Sequence, residues 1–111
     1  MFRRWRSLGR LSPGIGLLAS ATLFSSLNAC GGSLYAVYAS SASSRLEDAR
    51  AAGAINTAPY EYYLAREHLK QASQEAARAE YGDALQLAKL AEQYAEQAAN
   101  LARAAKAKLS P

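Results

Sequence analysis

From Gly53 onward, small apolar residues recur at alternating steps of three and four. Tyr62, Ala65, Leu69, Ala72, Ala76 and Ala79 form one such series, and Ala84, Ala88, Ala91, Ala95, Ala98, Ala102 and Ala105 form another. That period places each series along one stripe of an α-helix. The positions between them are filled by Glu, Gln, Lys, Arg and Leu, which favour helix, and no strand-like run of Val, Ile or Thr occurs after Cys30. The pattern therefore predicts an all-α fold. An earlier helix is predicted over about 34 to 52, Ser-rich at Ser40 to Ser44 and closed by Gly53. Ala54 to Ala58 are expected to form a turn. Pro59 suits a first helical position, where its missing N–H is not needed, and Glu61 complements the positive end of the helix dipole. The second helix is predicted over about 59 to 80 and the third over about 83 to 108. Gly82 is read as the break between them, with Asp83 supporting the new N-terminus and Lys106 and Lys108 at the negative end.

The two alanine seams predict an antiparallel hairpin with close-packed axes, near the short end of the usual range of about 8 to 10 Å. A second stripe on the third helix, Leu87, Leu90, Tyr94 and Leu101, points away from the alanine seam and requires another partner. Tyr38, Ala42, Leu46 and Ala49 of the first helix are the expected cover. The result is a small helical bundle over residues 34 to 111.

The N-terminal segment is of a different kind. Arg3, Arg4, Arg6 and Arg10 precede an apolar run from Gly14 to Leu27, the order of an export signal, and the only cysteine, Cys30, follows at once. Leu27-Asn28-Ala29-Cys30 resembles the lipobox read by bacterial lipoprotein signal peptidase, with Asn28 at its most permissive position. The resemblance implies cleavage before Cys30, a diacylglyceryl group on its thiol and acylation of the new amino group, palmitate being the usual fatty acid. Residues 1 to 29 are then the signal peptide, and 30 to 33 a lipidated terminus and short linker. Gly31 follows the cysteine where enterobacterial lipoproteins retained in the inner membrane carry aspartate. By that resemblance the outer membrane, on its periplasmic face, is the expected destination, with the inner membrane as alternative; in a Gram-positive host the same box means the plasma membrane. Three other readings stay open. Cys30 is a buried core residue; Leu11 to Ala29, just short of the roughly 20 apolar residues that span a bilayer, is an uncleaved anchor; or an ordinary signal peptidase releases a soluble periplasmic protein.

Cleavage changes what the charge means. The chain carries a formal +4, from thirteen basic and nine acidic residues, and four of the basic residues precede Cys30. What remains is neutral, without the excess of basic residues that binding to a phosphate backbone requires. No nucleic-acid partner is expected. A chain of this length with one cysteine also has no internal disulfide, so packing alone must hold a single core.

Candidate chemistry is sparse. His68 is the sole histidine, no paired His, Cys or carboxylate spacing resembles a metal site, and no phosphate loop or nucleophile elbow is present. We expect no enzyme activity, no catalytic or metal-binding residues, no cofactor and no small-molecule substrate. His68 is expected on the helix surface, turned away from its neighbour Glu67. The seven tyrosines are the remaining clue. Tyr60, Tyr62 and Tyr63 spread around the first turn of the second helix, so at least one is expected to be exposed as a possible interaction surface, while the rest close the end of the core.

Two resemblances follow from these residues. Tyr81-x-x-Ala84-x-x-x-Ala88-x-x-Ala91 resembles the second helix of a tetratricopeptide hairpin, although only one unit is present where about three are needed to build a continuous core. Ala49 to Ala54, then Ala58-Pro59-Tyr60-Glu61, Ala65, Leu69, Ala72, Tyr81, Ala84, Ala88, Ala91 and Ala98 resemble a family of short Gram-negative envelope proteins with a domain of unknown function. Its members occur as lipoproteins or ahead of an OmpA-like peptidoglycan-binding domain, which this sequence lacks. The resemblance implies a location and a fold but no activity. The expected role is a membrane-tethered adaptor that meets an unknown envelope protein. A self-associating structural lipoprotein and a helical hairpin on a transmembrane anchor are the alternatives.

Overall fold

The computed structural model describes residues 29–110. Four helices follow one another: α1, Ala29–Ala51; α2, Ala54–Thr57; α3, Pro59–Ala77; and α4, Tyr81–Leu109. No strand occurs among the described residues, and the all-α bundle is as the sequence predicts. Residues 1–28, which include the arginines, the apolar run and Leu27 and Asn28, lie outside this range.

The alanine seams meet as expected. Ala84, Ala88, Ala91, Ala95, Ala98 and Ala102 of α4 have no exposed surface, nor do Ala65 and Ala72 of α3, and Tyr62 joins them in the core. α3 runs antiparallel to α4, so His68 reaches Tyr94 near the middle and Glu75 lies beside Leu87 towards the connecting turn. A methyl group is the largest side chain on most of this seam, which lets the backbones approach closely. Ala105 is only half-buried, and Ala79 is exposed beyond the end of α3.

The turn between α3 and α4 differs from the expectation. α3 ends at Ala77, three residues before the predicted boundary, and Gly82 lies inside the first turn of α4. The break is made at Ala79, which takes the left-handed backbone conformation (φ 62°). Its N–H bonds to the Ala76 carbonyl at 3.0 Å, and the Glu80 N–H bonds to the Glu75 carbonyl at 2.9 Å. That pair of bonds is the Schellman termination, with alanine where glycine is usual. Glycine therefore misled as a marker, because the hydrogen bonds that end the helix form three residues earlier.

At the other end Gly53 closes α1 as predicted, at φ 88°. Ala54 to Ala58, expected as a turn, instead contain one turn of helix. The Ala58 N–H bonds to the Ala54 carbonyl at 2.9 Å, and the Thr57 hydroxyl donates to the Gly53 carbonyl at 2.9 Å. Both Ala54 and Ala58 are buried, so α2 plugs the end of the core.

α1 begins earlier than predicted. Residues 30 to 33, read as a linker, form its first turn, and Ser40 to Ser44 are helical throughout. α1 lies parallel to α4: Gly31 passes Tyr81, Tyr38 faces Lys89, and Arg45 reaches Glu96. A Cβ on Gly31 would stand 3.3 Å from that of Tyr81, so this crossing favours the smallest residue.

Ala42, Leu46 and Ala49 of α1 are buried and Tyr38 half-buried, as the sequence suggests. Their counterpart is not the leucine stripe. At about 100° per residue, Leu87, Leu90, Tyr94 and Leu101 fall on the flank of α4 beyond α3, while Lys89, Glu92 and Glu96 fall on the flank that α1 occupies. Leu90 and Leu101 stay exposed. The occupied flank carries Ala88, Ala95 and Ala99, over which a third helix can sit close; long leucines would hold it away.

Candidate functional site

Tyr60, Tyr62 and Tyr63, adjacent in sequence, have separate fates. Tyr62 turns into the core with 7% of its surface exposed, Tyr63 is 49% exposed and Tyr60 69%. Tyr62 meets the Tyr63 ring edge-on, with centroids 5.3 Å apart and planes at 82°. This T-shaped contact is favourable for aromatic pairs. The core tyrosine thus sets the orientation of the exposed one. On its other side Tyr63 lies 5.7 Å from the Arg66 guanidinium carbon, within cation–π range.

Tyr62, Tyr63 and Arg66, but not Tyr60, border a groove between α1 and α3, where two helices packed on α4 leave a furrow between them. Leu46, Tyr62 and Leu69 form its apolar floor; Ser43 and Glu47 stand on the α1 side, and Arg66, Glu67 and Lys70 on the α3 side. Its volume, about 930 Å³, falls within the range of small-molecule clefts. Its shape does not, since it is open along its length and its rim is built from long charged side chains. Such a furrow suits a helix or an extended segment of another protein. The sequence pointed to the tyrosines but not to Ser43, Glu47, Arg66 or Lys70. No residue pattern signals them, because the furrow exists only once the placement of α1 is known.

The opposite face of the hairpin holds His68. Expected on the surface, it is half-buried and stacked on Tyr94, with centroids 5.7 Å apart and planes at 27°. Its Nδ1 is buried without a hydrogen-bond partner. Glu67 points away into solvent, as the spacing predicts, and accepts a bond from Gln71 at 3.5 Å. Among the described residues no carboxylate bonds to the buried Nδ1, and His68 has the position of a packing residue. Among the described residues, no group of His, Cys, Asp and Glu is placed to hold a metal ion.

A third feature escaped the sequence reading. The Ser41 hydroxyl donates to Glu92 Oε1 at 2.6 Å, Arg45 Nε donates to the same oxygen at 3.2 Å, and Arg45 Nη1 lies 3.4 Å from Glu96 Oε1. Two i, i+4 pairs, one on each helix, converge here. The Ser41–Arg45 and Glu92–Glu96 spacings, of complementary chemistry, are the signal that would have revealed it. Lys89 adds a contact at 5.1 Å over the Tyr38 ring. The network fixes how α1 sits on α4, and so forms the groove on its far side.

Residues 38–110 match the model of a domain of unknown function, DUF4398. The chain belongs to the DUF4398 family. The matched region begins at Tyr38, two residues before α1 turns polar at Ser40, and takes in all of α2, α3 and α4, so the DUF4398 domain is essentially the bundle itself. No curated protein and no solved structure matches the chain. In this DUF4398 domain, the Ala49–Ala54 and Ala58-Pro59-Tyr60-Glu61 segments have structural work to do. Ala49, Ala54 and Ala58 are buried, Gly53 is left-handed, and Pro59 opens α3.

Of the remaining predicted site residues, Ala29 and Cys30 are the first two residues of α1, and Gly31 is the residue that passes Tyr81. No helix among the described residues is long and apolar enough to cross a membrane.

Proposed function

We propose that this DUF4398 protein is a cell-envelope lipoprotein, held by an acylated Cys30 on the periplasmic face of the outer membrane. From there its helical domain acts as a non-catalytic adaptor for another envelope protein. The observation that carries the reading is Cys30 itself, placed directly after Leu27-Asn28-Ala29 at the end of a basic and then apolar segment. One acyl chain gives only reversible binding, whereas three on one residue hold a protein at the membrane for good.

The α1–α3 groove supports the adaptor role. It joins an apolar floor to a charged rim and an exposed Tyr63, the composition of a protein-binding surface, in which tyrosine and arginine are enriched. Tyr60 is exposed at the start of α3, outside the groove. Self-association through the alanine seams is disfavoured because the chain already buries both against each other.

The deciding experiment compares the expressed protein with its Cys30→Ala variant by intact mass and membrane fractionation. We expect a product beginning at Cys30 with added acyl mass, found in the outer membrane, and loss of both in the variant. A full-length chain without added mass, still in the membrane, would overturn the reading in favour of a transmembrane anchor. The sorting role of Gly31 needs a matched control, because any side chain there presses on Tyr81. Gly31→Asp should relocate the protein to the inner membrane and Gly31→Ala should not.

A further inference from the structure

The first two turns of α1 carry an apolar face that the bundle leaves uncovered. Leu34 is 47% exposed and Val37 64%, while Tyr35 and Tyr38, about a quarter-turn round the helix, are half-buried. An isolated surface leucine is ordinary; the change of polarity along this face is not. Val37 is followed on the same surface by Ser40, Ser44 and Asp48, and no large apolar side chain recurs there. The apolar part is confined to the end of α1 that begins at Ala29-Cys30.

We infer that Leu34 and Val37 enter the acyl region of the phospholipid bilayer beside the anchored terminus, so that the first two turns of α1 sit in the membrane interface. The inference rests on the proposal that Cys30 is acylated. Distance supports it: the helix is continuous from Ala29, which leaves no spacer, and at 1.5 Å per residue Leu34 and Val37 stand about 6 and 10 Å along the axis from Cys30. An interfacial helix lies in the membrane plane with its apolar face turned inward and buried by roughly 5–10 Å, so apolar side chains this close to the anchor along the axis reach the acyl boundary. The polar stretch starts at Ser40, about 15 Å along the axis from Cys30.

The attraction is apolar and not electrostatic. The α3–α4 turn lies at this same end, since Tyr81 touches Gly31 and Gly32, and it exposes Arg78 together with Glu80 and Asp83. Two carboxylates against one guanidinium give no basic cluster of the kind that recruits anionic lipid.

Tryptophan fluorescence tests this without interference, because Trp5 is the only tryptophan and precedes the cleavage site. Val37→Trp and Ser44→Trp, made separately at exposed positions, place one reporter inside the apolar part and one a further two turns along. Each acylated protein, its mass confirmed, is reconstituted into phosphatidylethanolamine–phosphatidylglycerol vesicles with brominated acyl chains. The expected result is a blue-shifted Val37→Trp emission, quenched several-fold more than that of Ser44→Trp and unchanged by salt. Equal, weak quenching of both in acylated protein would overturn the inference and leave the lipid anchor standing. Quenching relieved by salt would replace it with an electrostatic contact. Protein without acyl mass would overturn the reading of Cys30 and this inference with it.

Discussion

Ala79 and Gly53 stand in the same left-handed region of backbone space and make opposite predictions. At φ 62° the Cβ of Ala79 crowds the following carbonyl, a conformation that costs an L-residue roughly 1–2 kcal/mol. Glycine has no such cost but loses more entropy on folding. Ala79→Gly is therefore expected to stabilise the domain by about 1 kcal/mol, seen as a higher urea midpoint at unchanged slope. Gly53→Ala moves the other way. An added Cβ there meets nothing within 4 Å, so no clash contributes, and the expected loss of about 1 kcal/mol is purely conformational. In the seam the limit is volume. Ala95 has no exposed surface, and Ala95→Leu is expected to destabilise by about 1–3 kcal/mol through overpacking, whereas leucine is otherwise a good helix former. A melting temperature that rose with Ala95→Leu would mean that the α3–α4 contact is loose.

At the scale of elements, the Ser41–Arg45–Glu92–Glu96 network chooses where α1 lies. Arg45 and Glu92 are 40% and 20% exposed at their side chains, so solvent screens the pair and its coupling energy is expected at about 0.5–1 kcal/mol in a double-mutant cycle of Arg45→Ala with Glu92→Ala. Arg45→Ala alone costs more than that, because it leaves Glu92 and Glu96 one turn apart with no cation between them. High salt should shrink the coupling; a coupling that salt leaves intact would mean the pair is more deeply buried than its exposure indicates. This network also marks where the sequence stopped being legible. The periodic alanines located α3, α4 and the seam between them, since a three-and-four period has a single geometric meaning. Gly53 and Pro59 located the α1–α3 connection for a different reason, a left-handed glycine closing one helix and a proline opening the next. The partner of the leucine stripe could not be read, because apolar character says that a surface prefers burial but not which helix covers it. The same three-and-four period singled out Tyr62 for the core, but that Tyr63 borders a groove depends on the direction from which α1 approaches.

At the scale of the molecule, the core determines how the protein can associate. Among the described residues, only Leu46 and Tyr62 of the buried apolar side chains are larger than alanine. Each alanine methyl contributes little, since a buried CH₂ is worth about 0.8 kcal/mol, against a backbone ordering cost of about 1–2 kcal/mol per residue. Helix propensity and close axial packing must supply the rest, and the domain should be only marginally stable. A marginal bundle gains stability from any partner that binds its folded form. Apart from the face of Leu34 and Val37 assigned to the membrane, the α1–α3 groove and the flank of Leu87, Leu90 and Leu101 are open to one. They separate the adaptor from the self-assembling lipoprotein. If the flank were a self-association seam it would need apolar residues at every three-and-four step, yet Asp83, Gln86, Gln93 and Gln97 interrupt it. Residues 31–111 are therefore expected to sediment as a monomer at micromolar concentration. Tyr63→Ala with Arg66→Ala should abolish crosslinking to an envelope partner in cells, with little change in the urea midpoint, because both side chains are exposed. A dimer dispersed by Leu90→Lys and Leu101→Lys would reverse the assignment: the leucine flank would then be the working surface, and the groove a by-product of how α1 packs.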